Sequence, residues 1–194
     1  MIQRLIDTIQ EYVELNQQEL LWLEESIDKR YLKKGEVFFS EGKISTEIYY
    51  VVQGCIRLFY NVNGDEKTAF FYTDGQFICA GESYTFGVPA VENYQAIEAA
   101  EIFVFEKKKT EELLNRVPKM EIIARVATEN ELITSQKIIA SFVTQSAEQR
   151  YVHLLSKQGA LLQRVPQQYI ASYLGVSPET LSRIKARVAR KGLS

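Results

Sequence analysis

Glu179, Thr180, Ser182 and Arg183 are the residues of this chain with the clearest chemical use. A carboxylate, two hydroxyls and a guanidinium near the start of one helix can reach base edges from a DNA major groove. They lie in the stretch VPQQYIASYLGVSPETLSRIKARVAR, Val165 to Arg190, whose residue types suit two crossed helices joined by a tight turn. Pro166 has a fixed φ and no amide hydrogen to lose, so it can open the first helix. Ile170 and Leu174 recur four residues apart on that helix's buried side, and Ala171 is small where a second helix must cross. Gly175 permits the positive φ of a turn and Val176 plugs the corner. Ser177-Pro178-Glu179 supplies an N-cap followed by Pro at the first helical position. Leu181, Ile184 and Val188 give the second helix its apolar side. Apolar periodicity of this length also suits a hairpin of helices that only packs, and it is the punctuation that favours a DNA-binding helix-turn-helix.

Charge is segregated in the same sense. From Gln145 to Ser194 there are eight Lys/Arg and two acids, a net of +6, whereas Met1 to Thr144 carries a net of −8. The formal charge of the whole chain, −2, conceals this. A basic terminal module on an acidic body is the electrostatic pattern of a protein that sets one end on phosphate. Lys185, Arg187, Arg190 and Lys191 are the candidate backbone contacts, with Gln167, Gln168 and Ser177 as neutral helpers. The alternative for each cation is a solvated face.

The elements that must carry this module fall into regions of different periodicity. Ile2 to Ile27 has apolar residues at helical spacing, consistent with two short amphipathic helices that cap the next region. Tyr31 to Phe105 holds sixteen of the twenty-two aromatic residues and is punctuated by seven glycines. Strands are expected over 36–40, 47–52, 55–60, 67–72 and 99–105, separated by Gly-containing turns. Such a run implies a sandwich or roll and not a doubly wound sheet, which needs helices between its strands. Thr110 to Arg116 is a short helix, and Pro118 can start a long one reaching about Val143. Its apolar stripe is too wide for a strict coiled-coil seam, so one side can cover the roll while another meets a second copy. The polar break TQSAE, Thr144 to Glu148, is the expected boundary. The division is therefore 1–109 for a sensor roll, 110–144 for a linker and dimerisation helix, and 145–194 for the DNA-binding domain.

Composition excludes much else. No stretch approaches the roughly 18 uninterrupted apolar residues of a membrane span, and the charged N-terminus does not read as a signal peptide, so a cytoplasmic protein is expected. Cys55 and Cys79 lie in apolar, strand-like runs and are expected to be buried reduced thiols. One histidine, His153, cannot build a cupin-type metal site and is expected to pack or hydrogen-bond at the base of the DNA module. No nucleophile-base pair, phosphate loop or paired-carboxylate motif is recognisable, so no enzyme and no cofactor is expected. A rival of another class remains: a dimeric scaffold whose terminal helices bind a protein.

KKGEVFFSEGKISTEIYYVVQGCIRLFYNVNGDEKTAFFYTDGQF resembles the cyclic-nucleotide-binding β-roll of the Crp/Fnr family of bacterial transcription regulators. SAEQRYVHLL followed by VPQQYIASYLGVSPETLSRIKARV resembles that family's C-terminal module. The resemblance implies an α+β chain: an N-terminal antiparallel β-roll of the double-stranded jelly-roll type with flanking helices, a long dimerisation helix, and an all-α helix-turn-helix domain. It further implies a homodimer on a two-fold related operator in double-stranded DNA, reoriented by an effector in the roll. RNA polymerase and an unidentified small molecule are candidate partners. In the family a Glu and an Arg of the recognition helix read a G·C pair, and Glu179 and Arg183 match those positions. Pro178 stands where some members carry a further base-contacting Arg.

Two departures stand out. Cyclic-nucleotide binders place a Gly-Glu pair and, some ten residues on, an Arg followed by Ser or Thr. Here Gly81-Glu82 matches the first half, but Glu92-Asn93 occupies the second. No Lys or Arg occurs from Thr68 to Glu106, a span with six acids, so a cyclic phosphate there would lack its counter-charge. Two dispersed cysteines also cannot hold an iron–sulfur cluster. The second departure is at the C-terminus, where only Lys191-Gly-Leu-Ser194 comes after the recognition helix and a full β-hairpin wing is not expected.

Overall fold

The computed structural model describes residues 2–192. Two helices lead, α1 (Gln3–Gln10) and α2 (Gln17–Glu25), the second opened by a capping box in which Asn16 and Glu19 bond each other's backbone N–H. Eight strands come next: β1 (Ile27–Leu32), β2 (Val37–Phe39), β3 (Glu47–Gln53), β4 (Cys55–Val62), β5 (Asp65–Thr73), β6 (Phe77–Cys79), β7 (Asn93–Ala96) and β8 (Ala100–Glu106). A short helix, α3 (Gly81–Phe86), separates β6 from β7. The strands form two four-stranded sheets, ordered β1-β8-β3-β6 and β2-β7-β4-β5, antiparallel where β1 and β3 flank β8 and where β2 meets β7. This is the expected antiparallel roll with flanking helices. The expected strands all form, each within a few residues of its expected limits. β1, β6 and β7 add to them: β1 begins at Ile27, where helical spacing suggested α2 continued, and β6 and β7 are too short for periodicity to announce.

Two backbone features close the sheets. Asn63 and Gly64 both take positive φ, 53° and 88°, the two-residue hairpin turn whose twist matches that of the strands it joins. Gly54, at φ 125°, brings the β3–β4 connection against β8. A Cβ there would stand 2.5 Å from that of Ala100.

Aromatic rings join the sheets. Phe38 of one meets Tyr49 of the other edge-on at 5.1 Å between centroids, and Tyr94 lies near Phe38, Phe39 and Tyr72. The Tyr94 hydroxyl donates to the Cys79 carbonyl across the interior at 3.2 Å. The outer face of the β1-β8-β3-β6 sheet carries a second cluster, in which Leu5, Ile9 and Leu23 of the leading helices pack with Tyr50 and Phe103. Both cysteines are free thiols, Cys55 buried and Cys79 half-buried.

Helices complete the chain: α4 (Lys107–Arg116), α5 (Glu121–Thr144), α6 (Ala147–Arg164), α7 (Gln167–Tyr173) and α8 (Pro178–Arg190). Pro118 does not open the long helix directly. It starts a single 3₁₀ turn, Pro118–Met120, from which α5 continues. The chain divides into two compact units, residues up to 58 with 71–130, and 59–70 with 131 onward. No helix of the described residues is long and apolar enough to cross a membrane. Leu193 and Ser194, on which the expected lack of a wing also rests, lie outside the described residues.

Candidate nucleic-acid interface

The turn between α7 and α8 is built by backbone hydrogen bonds that its sequence permits. Gly175 takes φ 69°, its N–H bonds the Ser172 carbonyl, and the Val176 N–H reaches back to Ala171. This is the Schellman arrangement, which satisfies carbonyls left over at a helix end. Ser177 then caps α8, its hydroxyl accepting from the Thr180 N–H, with Pro178 in the first turn. Pro166 is the cap of α7 and not its first residue, at φ −52° and ψ 139°. Pro there still costs no helical hydrogen bond, since its N–H would have had no partner.

Burial separates the two sides of α8. Leu181, Ile184 and Val188 are buried beside Ile170, Ala171 and Leu174, while Ser182, Arg183, Lys185, Arg187 and Arg190 are exposed. Glu179 is exposed at the helix start and Thr180 is half-buried. The Arg183 guanidinium donates to the Thr180 hydroxyl at 2.9 Å. Glu179 is held below the usual carboxylate range, first by a hydrogen bond with Ser177, then by its own backbone N–H and by the charge of Arg183. Glu179, Thr180 and Arg183 thus stand together at one end of an exposed, cationic helix face. Gln167, also exposed, donates to the Ser182 hydroxyl at 2.8 Å, which ties the start of α7 to the same face.

The candidate phosphate contacts are less uniform than their spacing suggested. Glu148, in the first turn of α6, accepts from Lys191 Nζ at 2.7 Å and lies 3.5 Å from Arg187 Nε. Its carboxyl is held low, chiefly by the Lys191 hydrogen bond and then by the charges of Lys191 and Arg187. Lys185, Arg190 and Gln168 are exposed. His153 is exposed on α6, so it does not pack at the base of the module: it lies between Val152 and the buried Leu154, pointing off that helix's apolar side.

In the roll, Gly81 and Glu82 begin α3 and are exposed. Glu92 accepts from the neighbouring Val91 N–H at 3.1 Å. Asn93 is buried, its amide accepting from the Glu41 N–H and donating to the Glu41 carboxylate. The interior also holds a cation that precedes the cation-free span 68–106. Arg57 of β4 is fully buried, and its Nε donates to Gln95 Oε1 at 2.7 Å, two residues beyond Asn93. Its position amid the apolar run Cys55–Tyr60 was the available signal, because a charged residue in a strand buried on both sides needs a specific reason.

Helix α5 leaves apolar side chains uncovered. Leu132, Ile133, Ile139, Phe142 and Val143 are between 45% and 80% exposed, and Ile123 is its buried residue.

Residues 29–117 match the family model of the cyclic nucleotide-binding domain. The anaerobic regulatory protein of Haemophilus influenzae is 25% identical over 192 residues, covering 92% of this chain and 74% of the relative. Among solved structures, FixK2 from Bradyrhizobium japonicum superposes with a TM-score of 0.74 at 17% identity, covering 86% of each chain. A transcriptional regulator of the CRP/FNR family from Thermus thermophilus superposes with a TM-score of 0.66 at 20% identity, covering 85% of this chain and 87% of its own.

Proposed function

We propose that the chain is a transcription regulator of the Crp/Fnr type that acts as a homodimer on a two-fold related operator in double-stranded DNA. The observation that carries this reading is the exposed face of α8, where Glu179, Thr180, Ser182 and Arg183 precede a run of cations on a helix whose other side is buried. In this reading Arg183 donates to guanine O6 and N7, and Glu179 accepts from the cytosine N4 amine. Gln167, Gln168, Ser177, Lys185, Arg187, Arg190 and Lys191 contact the phosphate backbone and set the register. Functional boundaries fall at 109/110 and 144/145.

The dimer forms through α5. An apolar stripe exposed to this degree along one helix is an association surface, and a two-fold pair of identical helices would bring two α8 helices to two half-sites. RNA polymerase is a partner and the cytoplasm the compartment.

The roll takes an effector other than cyclic AMP in the usual mode. The Gly81, Glu82, Glu92 and Asn93 positions supply no cation, Asn93 is engaged with Glu41, and aromatic rings meet between the sheets. Arg57 supplies one positive charge inside the roll.

Binding-site selection with the full chain, followed by salt titration on the selected duplex, tests the reading. The expected outcome is one inverted-repeat motif, and an affinity that falls steeply and linearly on logarithmic axes. Absence of any selected motif, with salt-insensitive capture of a protein by the terminal helices, would replace it with the interaction-module reading.

A further inference from the structure

Arg150 belongs to the α6–α8 module, yet the DNA-binding reading leaves it without a task. It is half-buried in the first turn of α6, and its side chain touches three separate segments. One terminal nitrogen donates to the Gln145 carbonyl in the α5–α6 connection at 2.7 Å. The other donates to the Leu174 carbonyl at the end of α7 at 2.8 Å. Its guanidinium carbon lies over the Phe142 ring of α5, 4.3 Å from the ring centre.

Phe142 is itself in contact with the turn: a Cβ placed on Gly175 would stand 2.8 Å from the edge of that ring. The end of α5, the connection and the α7–α8 turn therefore meet on one side chain. Only a planar fork can serve two carbonyls while stacking on a ring, and the compact ammonium of lysine cannot. The Arg150 Nε–H is buried without a hydrogen-bond partner among the described residues, so seating the guanidinium here carries a desolvation penalty. A residue whose only use was solubility would not be found in such a place.

We propose that Arg150 is a positioning residue for DNA recognition: through Phe142, Gln145 and Leu174 it fixes the α7–α8 turn, and with it the recognition helix, against the end of α5. This rests on the DNA-binding reading and deepens it. Arg150 touches no base and no phosphate in this arrangement. Phe142 is 46% exposed on the apolar stripe of α5, so a second copy packing there bears on the same ring that seats the turn. Dimer formation and alignment of the reading helix share one joint.

The test uses the full chain with Arg150→Gln and Phe142→Leu. Affinity for the selected duplex is measured across a salt series, folding by thermal melting, and the distance between spin labels at Lys137 and Lys185 by pulsed resonance. The expected result is a loss of at least tenfold in affinity for both variants, an unchanged salt slope, melting close to that of the wild type and a broadened distance distribution. A salt slope shallower by about one unit in Arg150→Gln would make Arg150 a phosphate contact and overturn the proposal. So would wild-type affinity, or a wild-type distance distribution, in either variant. If Arg150→Gln unfolds, the decision passes to Phe142→Leu, which loosens the same joint from the α5 side. A wild-type chain that binds no duplex at all would count against the DNA-binding reading, whereas a wild type that binds with variants unaffected would count against Arg150 alone.

Discussion

Replacing Glu148 by Gln should strengthen DNA binding, a counter-intuitive result for a residue outside the recognition helix. Glu148 holds Lys191 at 2.7 Å and Arg187 at 3.5 Å, and both cations are more than half exposed. To reach phosphate each must leave a carboxylate, which then recruits a counterion from solution and cancels part of the counterion release that drives binding. Each unencumbered phosphate contact steepens the dependence of log K on log salt by about 0.9. Freeing two cations therefore steepens the slope by up to about 1.8. Over a fourfold rise in salt, the affinity gain of Glu148→Gln should shrink by about tenfold. Fluorescence anisotropy with a labelled duplex, repeated on a scrambled duplex, measures this, and both duplexes should respond alike because phosphate carries no sequence information. The sign of the pH dependence follows from the same pair. A carboxyl depressed in the folded state contributes above its unfolded pKa and loses that contribution as pH falls through its folded value. The wild-type curve and that of the Glu148→Gln variant should thus stay apart at a constant distance from about pH 6 to 8 and converge only in acid. Parallel salt slopes for the two proteins would show that neither Lys191 nor Arg187 moves to phosphate, and would refute the reasoning.

Arg183→Ala should cost about 1–3 kcal/mol per half-site and relax the selected preference at one base pair, read by competition between operator variants. Leu132→Asp combined with Ile139→Asp should yield monomers by light scattering, because both side chains are more than half exposed and lie two turns apart on α5. Isothermal titration with cyclic AMP should show no saturable heat at sub-millimolar nucleotide. A micromolar dissociation constant that is lost in Arg57→Gln would assign the phosphate to Arg57 and reverse that expectation.

The helix-turn-helix was legible because its constraints are local. A positive φ at Gly175, a cap at Ser177 and burial of Leu181 and Ile184 are each decided by a residue and its near neighbours. Longer strands were legible for the same reason, through turn residues such as Asn63-Gly64. β6 and β7 were not, since they exist through pairing with distant segments; β7 lacks a flanking pair of glycines such as Gly35 and Gly42, which marked the short β2, while β1 was hidden by helical spacing that runs on to Ile27. The Arg57–Gln95 bond joins residues thirty-eight apart, and no pattern along the chain foretells it. His153 failed for a simpler reason: the expectation assigned a single polar residue to a buried use without the phase of α6 to place it.

Charge shows where sequence counting stops being physical. The formal +6 of the terminal module treats every cation as available to phosphate. Arg150 is committed to two carbonyls and an aromatic ring, while Lys191 and Arg187 share Glu148. Lys185 and Arg190 remain exposed on α8, Arg190 two turns beyond Arg183 on the same side. Fewer cations than the count suggests can therefore contribute to non-specific attraction, and on the proposed reading a larger share of operator affinity must come from the alignment of Glu179 and Arg183 with a base pair. Alignment depends on the joint at Arg150. A protein arranged in this way should discriminate strongly between operator and random duplex at low salt, where one relying on bulk positive charge discriminates least.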